Sequence, residues 1–179
     1  MSKGRRLFTL FVLSLTLLGL DVGTKYLVDD YIPLMRMSRF SYPYGGIGIC
    51  ADFFGIECAI THATNTGAVA GAFSAYQVPL LIVRIIFISG LLFYLLLINQ
   101  NRLKTLPLLL IIVGAIGNVV DFFIYGHVVD MVKFTFFGWH YPVFNVADSL
   151  IFIGIFWLVA LSLFQRRPEK KEKDSPSAV

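Results

Sequence analysis

Four long apolar runs, separated by clusters of charge, set the pattern of this chain. They extend from about 7 to 28, 78 to 98, 105 to 125 and 143 to 164. Each holds roughly 20 residues, and at about 1.5 Å rise per residue a helix of that length crosses a hydrocarbon layer of about 30 Å. Helices are the expected form. A bilayer tolerates no unpaired backbone, and one short chain offers too few alternating segments to close a barrel. The pattern therefore predicts an all-α membrane protein with four transmembrane helices, forming a single integral domain over residues 1–165.

Composition agrees with that reading. Of 179 residues, 57% are hydrophobic and 15% charged, against about 45–50% and 25% in soluble domains. A core of this size could not hide 17 Phe and 8 Tyr from water. An ordinary soluble enzyme and a disordered chain are both excluded. Basic residues then set the orientation. Lys3, Arg5 and Arg6 precede the first run, Arg102 and Lys104 join the second to the third, and Arg166, Arg167, Lys170, Lys171 and Lys173 follow the fourth. That places ten of the 15 Lys+Arg on one face, which the positive-inside rule makes cytoplasmic. Both termini are expected inside, with residues 29–77 and 126–142 outside. The net charge of +4 is mostly this topology signal, so no nucleic-acid partner is expected. The first run continues into Asp21-Val22-Gly23-Thr24-Lys25 without a small-residue cleavage site, which marks a retained helix. The tail, residues 166–179, is expected to be basic, cytoplasmic and disordered.

Six ionisable residues, Asp21, Lys25, Arg84, Asp121, Asp130 and Asp148, lie in or beside the apolar runs. A charge at mid-bilayer costs about 2.5–3.5 kcal/mol on insertion scales, so several are not tolerated without use. Their depths agree. Counted from the inner face, Asp21 and Asp121 each lie about 20–25 Å along their helices. Asp148 and Arg84 come a few residues into runs that enter from the outer face. All six fall in one layer near the outer boundary. Lys25 and Arg84 can also snorkel outward, Asp21 can pair locally with Lys25 four residues on, and an aspartate can cap a helix. Asp130 and Asp148 flank an 18-residue hairpin whose helices must be neighbours. Two carboxylates held close in a half-dry site share a proton, so one can deprotonate a water while the other polarises a carbonyl.

Five motifs then occur in order: Asp21-Val-Gly-Thr-Lys25, Asn65-Thr-Gly-Ala68, Gly117-Asn-Val-Val-Asp121, Gly126-His-Val-Val-Asp130 and Phe144-Asn-Val-Ala-Asp148. Together they resemble the lipoprotein signal peptidase family (signal peptidase II), aspartyl intramembrane proteases of bacterial envelopes, over roughly residues 21–154. The resemblance implies an endopeptidase that removes signal peptides from lipid-modified prolipoproteins at the outer face of the cytoplasmic membrane. Asp130 and Asp148 match the catalytic pair. Asn65, Gly67, Asn118, Asp121, Asn145, Asp21 and Lys25 match supporting or substrate-binding positions. It further implies a small β-rich segment, residues 40–77, lying on the membrane; alternating Phe54, Ile56, Cys58 and Ile60 suit one strand. Substrate prolipoproteins and membrane lipid are the expected partners, no cofactor is needed, and the chain is expected to act as a monomer. Two departures stand out. The family follows Gly-Asn-x-x-Asp with Arg where this chain has Phe122, and Val69-Ala70 replaces the usual Ala plus aromatic.

Cys50 and Cys58, both expected outside, either form a disulfide or remain thiols. His62, His127 and His140 map to the outer side or rim without a His-Glu-x-x-His pattern, and no metal is expected. Trp139 and Tyr141 read as an interfacial aromatic belt. A transport protein with a buried carboxylate pathway and a non-cutting binder of signal helices are the competing readings. Against transport, the inner halves of all four runs carry no ionisable residue to continue a pathway.

Overall fold

The computed structural model describes residues 2–35, 41–66 and 76–164. Four helices are long and apolar enough to cross a membrane. They are α1 (Lys3–Tyr31), α2 (Gln77–Phe93, continued as one π-helical stretch to Ile98), α3 (Arg102–Tyr125) and α4 (Val146–Phe164). Each predicted run is therefore a helix. The ends shift because polar residues beyond the apolar runs still satisfy backbone groups. Ser2 caps α1 by accepting from the Arg5 amide, and Asn101 caps α3 by accepting from the Leu103 amide at 2.9 Å. Gly126 ends α3 in the left-handed region, at φ 77°.

Between the helices lies one antiparallel sheet in the order β1 (Ile47–Phe53), β2 (Ile56–Asn65), β3 (Val128–Phe136), β4 (Trp139–His140). The β-rich segment expected over residues 40–77 supplies β1 and β2 but does not complete the sheet. Half the strands come from the connection between α3 and α4, because β2 pairs along β3 from Ile56–Phe136 to Asn65–Val128. The register slips between Ile60–Val132 and Ala63–Asp130, so β2 carries one extra residue in a bulge at Thr61 and His62. Cys50 and Cys58 are directly opposed in the β1–β2 hairpin and joined by a disulfide.

Two contacts do much to fasten the sheet to the helices. Val28 and Ile32 at the end of α1 bury against Val129 and Met131 of β3, with Ile60, Tyr125 and Val132 around them. The residues before α4 pair with the sheet: Met131 and Val132 amides donate to the Phe144 carbonyl, and the Phe144 amide returns to Val132. Helices α3 and α4 approach closely through glycine. A Cβ on Gly114 would strike the Ala147 carbonyl, and one on Gly154 would sit 2.6 Å from the Pro107 carbonyl. Arg6 of α1 donates to Thr105 of α3 at 2.9 Å, so these two helices start at the same end of the bundle.

Candidate active site

The site grows from the first turn of α4. Asn145 stands just before the helix, and its Oδ1 accepts from the Asp148 amide at 2.8 Å. Asp148 Oδ2 in turn accepts from the Asn145 amide at 3.3 Å. This is a reciprocal capping box, and it fixes both side chains on the helix that carries them. The same Asn145 is fully buried, and its Nδ2 donates to Asp130 Oδ1 at 2.7 Å, to Asn118 Oδ1 at 3.2 Å and to the Val129 carbonyl at 3.3 Å. One amide thus ties the two aspartates together.

Each carboxylate has a second amide partner. Asn118 of α3 donates to Asp148 Oδ1 at 2.8 Å, and Asn65, the last residue of β2, donates to Asp130 Oδ2 at 3.2 Å. Asp130 is not at a helix exit, as the hairpin reading had it, but the third residue of β3. The pairing of Val132 with Phe144 brings that strand beside the start of α4. Burial and the neighbouring Asp148 charge push the Asp130 carboxyl up to about 7.

A second layer of charge lies beneath. Lys25 is wholly buried, and its ammonium reaches Asp21 Oδ2 at 2.8 Å, Asp121 Oδ2 at 2.8 Å and Asn118 Oδ1 at 3.1 Å. All three protons are used. Asp21 Oδ1 accepts from the Ala147 amide in the first turn of α4 at 2.7 Å, and Asp121 Oδ2 accepts from the Val129 amide at 3.2 Å. The Asp21–Lys25 pair was legible from its spacing of four. The link from Lys25 to Asp121 was not: it supplies the cation that Phe122 does not, from another helix. Lys25 therefore does not snorkel. Gly117 leaves room for the Asp21 carboxylate, which an added Cβ would strike.

Helix α2 contributes least. Arg84 is half-buried and lines a small crevice with Asn65, Thr66, Phe122 and His127. Gly67 and the basic tail fall outside the described residues, so their expected roles are not placed. Beside Asp148 opens a cavity of about 350 Å³, lined by Phe134, Phe136, Tyr141, Phe144, Phe152 and Ile153 with Ser149. Its wall is almost entirely aromatic or aliphatic, and a carboxylate stands at its edge. Tyr141, read from the sequence as part of an interfacial belt with Trp139, stacks edge-on with Phe144 in this wall.

The family model described as signal peptidase (SPase) II matches residues 13–164. A lipoprotein signal peptidase of Chlamydia trachomatis serovar D is 39% identical over 146 residues, covering 80% of this chain and 87% of that relative. One from Chlamydia muridarum is 32% identical over 168 residues, covering 92% and 97%. A bacterial membrane enzyme solved by the in meso method superposes with a TM-score of 0.73 at 25% identity, covering 92% of this chain and 94% of the other.

Proposed function

The chain belongs to the signal peptidase II family, and from that premise we propose that Asp130 and Asp148 are the residues with which it cuts. It is a lipoprotein signal peptidase, an aspartic protease of a bacterial membrane that processes prolipoproteins. The observation that carries the catalytic assignment is the Asn145 amide and cap, which hold one carboxylate from a strand and one from a helix in a single hydrogen-bonded unit.

The mechanism follows from the asymmetry of the pair. Asp130, pushed up to about 7, begins with the proton and donates it toward the scissile carbonyl oxygen. Asp148, at the edge of the open cavity, is the base that takes a proton from the attacking water. The tetrahedral intermediate then collapses: the proton held by Asp148 passes to the departing amine as the C–N bond breaks, and the hydroxyl proton returns to Asp130 as the carbonyl re-forms. Asn118 and Asn145 keep both carboxylates aimed, and Lys25 holds Asn118 in turn. The apolar cavity takes the hydrophobic part of the signal helix beside the cleavage point. The positive-inside pattern sets both termini in the cytoplasm and the sheet on the outer face, so the aspartate layer meets the substrate where its lipid anchor enters the bilayer. The substrate's lipid stays in the membrane; neither a soluble cofactor nor nucleic acid takes part, and one copy of the chain suffices.

The test is mass spectrometry of a lipidated precursor peptide incubated with purified protein. Asp130→Asn and Asp148→Asn are each expected to lower cleavage by about 10²–10⁴-fold while inserting normally. Near-normal cleavage by either variant removes that residue from catalysis.

A further inference from the structure

Away from the aspartate pair, three potential ligands meet where α1, the β2 bulge and the turn into β3 come together. Asp29 lies in the last turn of α1, His62 in the bulge, and His127 immediately before β3. One donor atom from each lies within 4.8 Å of the other two, and His62 Nε2 is 3.4 Å from Asp29 Oδ1. No motif spacing links these residues, since they stem from three separate elements.

The chemistry of His62 is informative. Its ring is only 7% exposed, and Nδ1 lies 3.0 Å from the Ile32 carbonyl oxygen. A carbonyl can only accept, so Nδ1 carries a proton and the ring presents Nε2 toward the Asp29 carboxylate. Both His62 Nε2 and His127 Nε2 are buried with no hydrogen-bond partner among the described residues. A buried ring nitrogen without a hydrogen-bond partner is unfavourable, and the one on His62 faces a carboxylate. A proton on His62 would answer only the Asp29 contact. A divalent ion answers all three.

We propose that Asp29, His62 and His127 bind a zinc-class divalent cation that clamps α1 to the sheet. Two imidazoles and a carboxylate, with a backbone carbonyl orienting one imidazole from behind, form a three-ligand zinc set with a fourth position for water. Tetrahedral bonds of about 2.0–2.2 Å set ligand atoms about 3.3–3.5 Å apart, which the His62–Asp29 separation of 3.4 Å already meets. The third ligand atom, from His127, lies within 4.8 Å of the other two. Because His127 stands three residues before Asp130, the ion would also steady the strand that presents that aspartate. The proposal is independent of which residues catalyse, and it departs from the sequence expectation of no metal.

The experiment uses full-length protein without a histidine tag, in detergent micelles and freed of metal with a chelator. Zn²⁺ is titrated calorimetrically, and Co²⁺ is followed by visible absorption. One ion per chain with a tetrahedral Co²⁺ spectrum is expected. Asp29→Asn, His62→Gln and His127→Ala should each weaken binding by about tenfold or more. Zn²⁺ should raise the unfolding temperature of the parent protein and leave that of His127→Ala unmoved. Asp29 is the most exposed of the three, so Asp29→Asn keeps the test decisive should His62→Gln fail to fold. No saturable binding, or binding by Asp29→Asn and His127→Ala as tight as the parent's, overturns the site.

Discussion

Replacing Lys25 with methionine keeps an unbranched side chain, one atom shorter, and deletes one buried charge. Its ammonium serves two carboxylates at 2.8 Å, from Asp21 and Asp121, with none of it exposed. Asp121 Oδ1 already has no partner among the described residues, so this carboxylate has little other support. Breaking a buried ion pair by removing one partner costs about 3–5 kcal/mol, and with two carboxylates stranded the upper end applies. Losing the bond to Asn118 adds little, because Asn145 still donates to the same oxygen at 3.2 Å. Against a total stability of about 5–15 kcal/mol, a loss of about 5 is a third or more. Neutralising the stranded charges should reverse it. The triple variant Lys25→Met, Asp21→Asn, Asp121→Asn can keep the bonds from the Ala147 and Val129 amides while removing the unpaired charge. Chemical unfolding in micelles, read from the fluorescence of Trp139 and Trp157, measures both. A single variant within about 1 kcal/mol of the parent, or a triple variant no more stable than the single, would refute the ionic account of this layer.

The remaining predictions concern protons, packing and the outer hairpin. With Asp130 raised to about 7, cleavage that needs its proton should fall as pH rises above about 7, toward tenfold per unit, in a pH profile of initial rates. The folded carboxyl holds a proton that the unfolded chain releases near 3.8; its stabilising contribution is full below about pH 4 and lost as pH rises through about 7. Unfolding measured from pH 4 to 8 should therefore fall less steeply in Asp130→Asn. Gly117→Ala, which drives a methyl into the Asp21 carboxylate, should cost about 1–3 kcal/mol. Gly90→Ala, with nothing within 4 Å, should be neutral or stabilising in the same unfolding assay. Changing Cys50 and Cys58 together to serine should cost about 2 kcal/mol of stability and leave cleavage of a lipidated peptide intact, since the bond joins β1 to β2 and neither cysteine bonds to an aspartate of the site.

Much of this molecule was readable before any coordinates. Transfer of an apolar run into lipid is a sum over residues next to one another in the chain, so four membrane-length helices could be counted from hydropathy. The cost of charge in such runs singled out Asp21, Lys25, Arg84, Asp121, Asp130 and Asp148, of which all but Arg84 join the hydrogen-bonded site, and spacing alone paired Asp21 with Lys25. What only the tertiary structure decided is how those residues are shared. Lys25 answers to Asp121 across 96 positions, the Ala147 amide answers to Asp21 across 126, and Asn145 joins a strand aspartate to a helix aspartate. β3 was hidden because its sequence follows a helix directly, and its partner β2 lies some 70 residues earlier. The meeting of Asp29, His62 and His127 was hidden in the same way. Hydrophobic cost is local in the chain, whereas electrostatic and hydrogen-bond satisfaction is local in space.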